Sequence, residues 1–170
     1  MTGTVDDPSG EIDNEASMLL DAEDLAEQGV REAYAQVALA LTGLGLVPAE
    51  ITEIIDPDAP AYTVVCQGIE YPIVGPGLPD EGAWGRATYA LFDLVNRQLS
   101  GHDQWLYAIN GGNDLIGILM TPDQAARARR ALLRRSDWPY LPTDEPDWSG
   151  MFRDRTPPPS PSRWTGWRAR

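Results

Sequence analysis

The chain has 170 residues, 42% of them apolar, and its 26 acidic against 13 basic side chains leave a net charge of −13. That length suits one domain with extensions, no apolar run reaches the ~20 residues of a bilayer span, and so acidic a balance argues against nucleic acid, where affinity comes from neutralised phosphates. Every basic residue is arginine, His102 is the sole histidine and Cys66 the sole cysteine, which excludes a phosphate-loop lysine, a Schiff base, a two-histidine metal site, a cysteine-cluster zinc site and an internal disulfide.

The first residues, Met1 to Asp7, have neither a basic start nor an apolar stretch, so no secretory signal is expected and a cytoplasmic setting is. Residues 1–16 are polar, acidic and aperiodic, and are expected to form a disordered tail. The pattern changes at Ser17. Val30, Ala33, Tyr34, Val37, Ala38 and Leu41 recur at the spacing of an apolar helix stripe. Asp21, Glu23, Asp24 and Glu27 crowd the early turns of this helix, where carboxylates meet the positive end of the dipole. Gly43 and Gly45 stop it.

Three strand-like pieces follow. Ile51–Ile55 leads into the turn-forming run Asp56-Pro57-Asp58-Ala59-Pro60. Tyr62–Cys66 and Ile69–Val74 are β-branched and aromatic, with Gln67-Gly68 between them either a tight hairpin turn or a bulge in one long strand. Pro72 cannot donate to a ladder, so the last piece is expected at a sheet edge. Gly75–Gly82 reads as a loop without the spacing or lysine of a phosphate cradle. A second helix places Trp84, Ala87, Leu91, Leu94, Val95 and Leu99 on one face and ends at Ser100-Gly101. Trp105–Ile109 and Leu115–Met120 are strands around Asn110-Gly111-Gly112-Asn113, residues that tolerate the positive φ of a tight hairpin. Thr121-Pro122-Asp123-Gln124 spells a capped helix start with a capping box, and this third helix is expected to run to about Arg135. An extended segment with Trp138, Pro139, Tyr140 and Trp148 follows, of the kind that buries its rings against a domain surface.

The order is therefore helix, three strands, helix, two strands, helix, an α+β chain. The domain is expected over residues 17–152, and residues 153–170 are expected to form a Pro/Arg-rich flexible tail. Charge is uneven: residues 1–32 hold ten acids and one arginine, and residues 153–170 hold five arginines and one acid.

Isolated polar residues give little chemistry. His102 follows a helix stop beside Asp103, and nothing nearby in sequence offers a proton to abstract. Cys66 lies among Val64, Val65 and Ile69, an apolar setting that favours an inert thiol. Asp56 and Asp58 lack the further ligands of a calcium loop. No cofactor and no metal are expected. The third helix with its extension carries Arg127, Arg129, Arg130, Arg134 and Arg135, either a docking face for an acidic partner, this chain's own N-terminal segment included, or a solvated face whose cations suit a helix C-terminus. Trp164 and Trp167 between arginines read as a short anchor motif or as a plain terminal extension.

The order of elements resembles the type III secretion chaperone fold shared with YbjN-like proteins, in which a twisted antiparallel sheet packs against helices. A more specific likeness lies in Asn113-Asp114-Leu115, Leu119-Met120-Thr121-Pro122-Asp123-Gln124, Trp138-Pro139 and Asp147-Trp148. This run is similar to actinobacterial chaperone-like domains of the TY-Chap type. It departs from them where proline follows Trp138 directly, where Asp147 replaces asparagine before Trp148, and where Asp-Trp replaces Gly-Trp at the turn. The resemblance implies a non-catalytic protein-binding module that holds a partner segment, in such families often as a dimer. Arg127, Arg130, Arg134, Trp138, Tyr140 and Trp148 are the expected partner contacts. Two other functions suit parts of the composition: an immunity protein or inhibitor of a basic toxin, and a small hydrolase using carboxylates in a cleft.

Overall fold

The computed structural model describes residues 17–153; the expectations for the acidic residues 1–16 and for the tail with Trp164 and Trp167 lie outside them. The fold is α+β, with two small antiparallel sheets that both pack on a central helix.

Ser17–Leu19 forms a short strand, β1, which the sequence does not announce. Asp21 then caps a single turn, α1 (Ala22–Asp24), its carboxylate accepting from the N–H groups of Glu23 and Asp24. One continuous helix is expected from here to Gly43, but the structure breaks it at Leu25–Gly29 before α2 (Val30–Gly43). The break has a local cause. Gln28 takes a left-handed φ of 76°, and a Cβ on Gly29 would lie 2.6 Å from the carbonyl oxygen of Asp24. Beyond the break the apolar stripe behaves as its spacing requires, with Val30, Ala33, Tyr34, Val37 and Leu41 buried.

Strands β2 (Ile51–Asp56), β3 (Ala61–Cys66) and β4 (Ile69–Val74) form an antiparallel meander in that order. Gln67 and Gly68 have φ of 50° and 78°, so the joint between β3 and β4 is a tight two-residue turn with both φ positive, the kind that matches strand twist. Pro72 lies on β4, at an edge of this sheet, where its missing donor costs no ladder bond.

The next helix, α3 (Ala83–Gln98), is buried almost all round from Gly85 to Asn96, Thr88, Asp93 and Asn96 included. A one-sided stripe is the expectation; the difference arises because β4, β5 and the N-terminal helices pack on it from several directions. Trp84, expected on the buried face, is 40% exposed.

The second sheet combines β1 with β5 (Trp105–Ile109) and β6 (Ile116–Met120) in the order β1-β6-β5. The described residues thus form two separate three-stranded sheets rather than one. The β5–β6 connection is also not a tight hairpin. It spans residues 110–115, with Asn110 and Gly112 at φ 58° and 60°. Gly111 is required by packing, since a Cβ there would collide with the carbonyl of Gly150.

The last helix, α4 (Pro122–Ala131), opens with the capping box the sequence spells: Gln124 N–H donates to Thr121 Oγ1 (3.2 Å) and Thr121 N–H to Gln124 Oε1 (2.7 Å). It ends at Ala131, short of the expected Arg135. Leu132 turns extended, and its carbonyl accepts from the Trp138 indole N–H at 3.2 Å. The main core lies between α2, α3 and the inner faces of both sheets. A smaller one, under Ala125 of α4, holds Tyr107, Ile109, Ile118 and Met120. Among the described residues no helix is long and apolar enough to cross a membrane.

Candidate functional site

The six residues expected to contact a partner divide into two groups. Arg127 and Arg130 are exposed on α4, and Arg134 is exposed just beyond its end. The aromatic residues face the other way. Tyr140 and Trp148 are 3% and 4% exposed, so their place among partner contacts is corrected: both rings are sealed inside the domain. Tyr140 exchanges two 2.8 Å backbone hydrogen bonds with Ala108 of β5, and its hydroxyl donates to Asn110 O at 2.6 Å. Trp148 packs edge-on to Tyr140 and donates its indole N–H to Met151 O at 2.8 Å. Trp138 is half-buried against Phe152, with the Arg135 guanidinium 5.4 Å from its ring. Residues 138–152 are therefore a strap whose apolar rings close one end of the core, as amphipathic aromatics do when their polar tips find partners.

The residues weighed for catalysis lie apart. Cys66 is buried, and burial pushes its thiol pKa up, toward the protonated and unreactive form. Asp56 serves its own turn, accepting from Asp58 N–H at 2.9 Å. The backbone N–H of His102 donates to Leu99 O. Among the described residues no group of three His, Cys, Asp or Glu side chains is arranged to hold a metal.

Two polar centres escape a reading by periodicity, because each is completed by residues distant in sequence. On α3, Asp93 Oδ2 accepts from the Tyr71 hydroxyl (2.7 Å) and from Arg97 Nε (2.5 Å), while Oδ1 is buried without a hydrogen-bond partner. Burial first, and then the bond to Asp93, push the Tyr71 pKa up. On β2, Glu53 accepts from the Tyr62 hydroxyl (2.7 Å) and from both the backbone N–H and Nε of Arg31 (3.0 and 3.1 Å), tying α2 to the meander. An Asp among apolar helix residues, and a Glu alternating with isoleucines, are the only sequence signals for these centres.

The sheet edges differ in how they are defended. β5 is covered by the Tyr140 bridge, β1 has three residues, and β4 carries Pro72 opposite a register irregularity at Tyr62/Thr63. Proline, bulges, brevity and cover all blunt strand edges. β2 has none of these devices. It is six residues long, pairs with β3 in unbroken register, and makes no other backbone hydrogen bond among the described residues. Thr52 and Ile54 point to the outer face with Thr63 and Val65 of β3, and Ile54 is 53% exposed. Between residues 51 and 74 there are four carboxylates and no basic side chain. The result is an open, acidic, partly apolar edge. No family model, curated protein or solved structure matches the chain.

Proposed function

We propose that the domain is a non-catalytic protein-binding module, chaperone-like or adaptor in role, which holds an extended segment of another protein along β2. The open edge of β2 carries this proposal. An added strand gains the N–H and C=O groups of Ile51, Glu53 and Ile55, which face away from β3, for affinity, and alternate side chains beside Ile54 and Thr52 for selectivity. The absence of basic residues over 51–74 favours a segment with arginine or lysine. The likeness of residues 113–148 to chaperone-like domains supports the same role.

The test is co-purification from cells that express the full chain, followed by hydrogen exchange on the complex. The expected result is a stoichiometric partner whose presence slows exchange of the Ile51, Glu53 and Ile55 amides, and which is lost with Ile55→Pro, a change at an N–H that faces away from β3. Isolation of no stoichiometric partner, or of one that leaves β2 exchange unchanged, would sink the proposal.

A further inference from the structure

We propose that the exposed arginines of α4 and its extension are the docking face for this chain's own acidic residues 6–15. Six of the nine arginines in the described residues are engaged. Arg31, Arg97 and Arg153 pair with carboxylates, Arg86 and Arg129 donate to backbone carbonyls, and Arg135 covers an indole. Arg127, Arg130 and Arg134 have no such partner among the described residues. All three are exposed, within eight consecutive positions, and the fully exposed Leu133 lies among them. In a chain of net charge −13, a concentration of unpaired cations beside an apolar side chain marks a surface for an acidic segment.

The nearest such segment is in the same chain. Asp6, Asp7, Glu11, Asp13 and Glu15 occur with no basic residue among them. β1 runs antiparallel to β6 with Ser17 opposite Ile118, so the N-terminal end of β1 points toward the end of β6 from which Thr121 starts α4. The ten residues of α4 extend about 15 Å. Four residues of extended chain, the interval from Ser17 to Asp13, span up to ~14 Å. The acids from Asp13 back to Asp6 therefore have the reach to meet any of the three arginines. Tethering makes the encounter intramolecular, with a local concentration that a free acidic peptide must exceed. The face is thereby reserved, and an outside acidic partner binds there only by displacing residues 6–15.

A nitroxide on Ser9→Cys in the full chain tests this directly, since Cys66 is buried and leaves the new thiol as the reactive one. At low ionic strength the label is expected to broaden amide signals over residues 126–135. The broadening should vanish in about 1 M salt, where the Debye length is about 3 Å, and in the Arg127→Gln/Arg130→Gln/Arg134→Gln variant. Amide shifts of β5 and β6 report that the variant keeps its fold. No loss of signal over residues 126–135, a larger loss on another element, or a loss that survives both the salt and the triple variant would overturn the proposal.

Discussion

Asp93 shows how one side chain can commit a helix to its neighbours. Its carboxylate is inside the domain, and a single oxygen receives both the Tyr71 hydroxyl and the Arg97 guanidinium, which joins β4 to α3. The second oxygen has no hydrogen bond, so part of the desolvation penalty is already carried by the native protein. Removing the charge strands its donors, whereas removing one donor leaves the ion pair. Asp93→Ala is therefore expected to cost about 3–5 kcal/mol and Tyr71→Phe about 1.5–3 kcal/mol, compared by urea unfolding. Equal losses for the two, or a neutral Asp93→Ala, would contradict this role. Asn96 acts beside it without charge, its amide bonding both the N–H and the C=O of Leu106 at 2.7 and 3.0 Å and so fastening α3 to β5.

At the scale of elements, the strap over residues 138–152 depends on bare backbone. Gly85 of α3 lies so close to the backbone of Trp148–Gly150 that any Cβ would collide with it, and Gly111 stands likewise under Gly150 and Met151. Gly85→Ala is expected to cost about 1–3 kcal/mol and to speed exchange of the Ala108 and Tyr140 amides while leaving β2–β4 unaffected. If exchange accelerates uniformly, the strap is not a separate unit. Elements of this kind divide what a sequence discloses from what it hides. The α2 stripe, the capping box at Thr121, the turn at Gln67-Gly68 and the edge position of Pro72 are legible because each is set by residues within a few positions. The split into two sheets and the burial of Tyr140 and Trp148 depend on contacts between distant segments. Of the candidate surfaces, the arginines of α4 are visible in the sequence. The open edge of β2 is not, because its openness is a property of what the other edges and segments do.

For the whole molecule, the tyrosines form a collective alkaline limit. The chain has six, and every one is shifted upward in the fold: Tyr34, Tyr62, Tyr71, Tyr89, Tyr107 and Tyr140, by burial before any other cause. Tyr89, the half-buried one, is pushed up to about 12. A folded pKa above the unfolded value of about 10 means that the unfolded chain loses these protons first. The stabilisation from keeping them is complete below pH 10 and falls as pH rises toward the folded values. Each withheld proton lowers stability by about 1.4 kcal/mol per pH unit in that window, and several act together. Phenolate absorbance at 295 nm is expected to rise above pH 10 in one steep step that coincides with loss of circular dichroism. Gradual phenolate formation with the fold intact would show that the rings are accessible.

The pairing of β1 with β6 has a consequence in time. The meander of β2, β3 and β4 is local and its strands leave the ribosome in succession, whereas Ser17 must find Ile118 about a hundred residues later. At about 5–20 residues per second of synthesis, β1 waits roughly 5–20 s for the strand that will hold it. A long apolar strand left unpaired for that interval would be a hazard to neighbouring nascent chains. β1 has three residues, one of them serine, and so brief a strand is a poor template for anything but its own late-arriving partner.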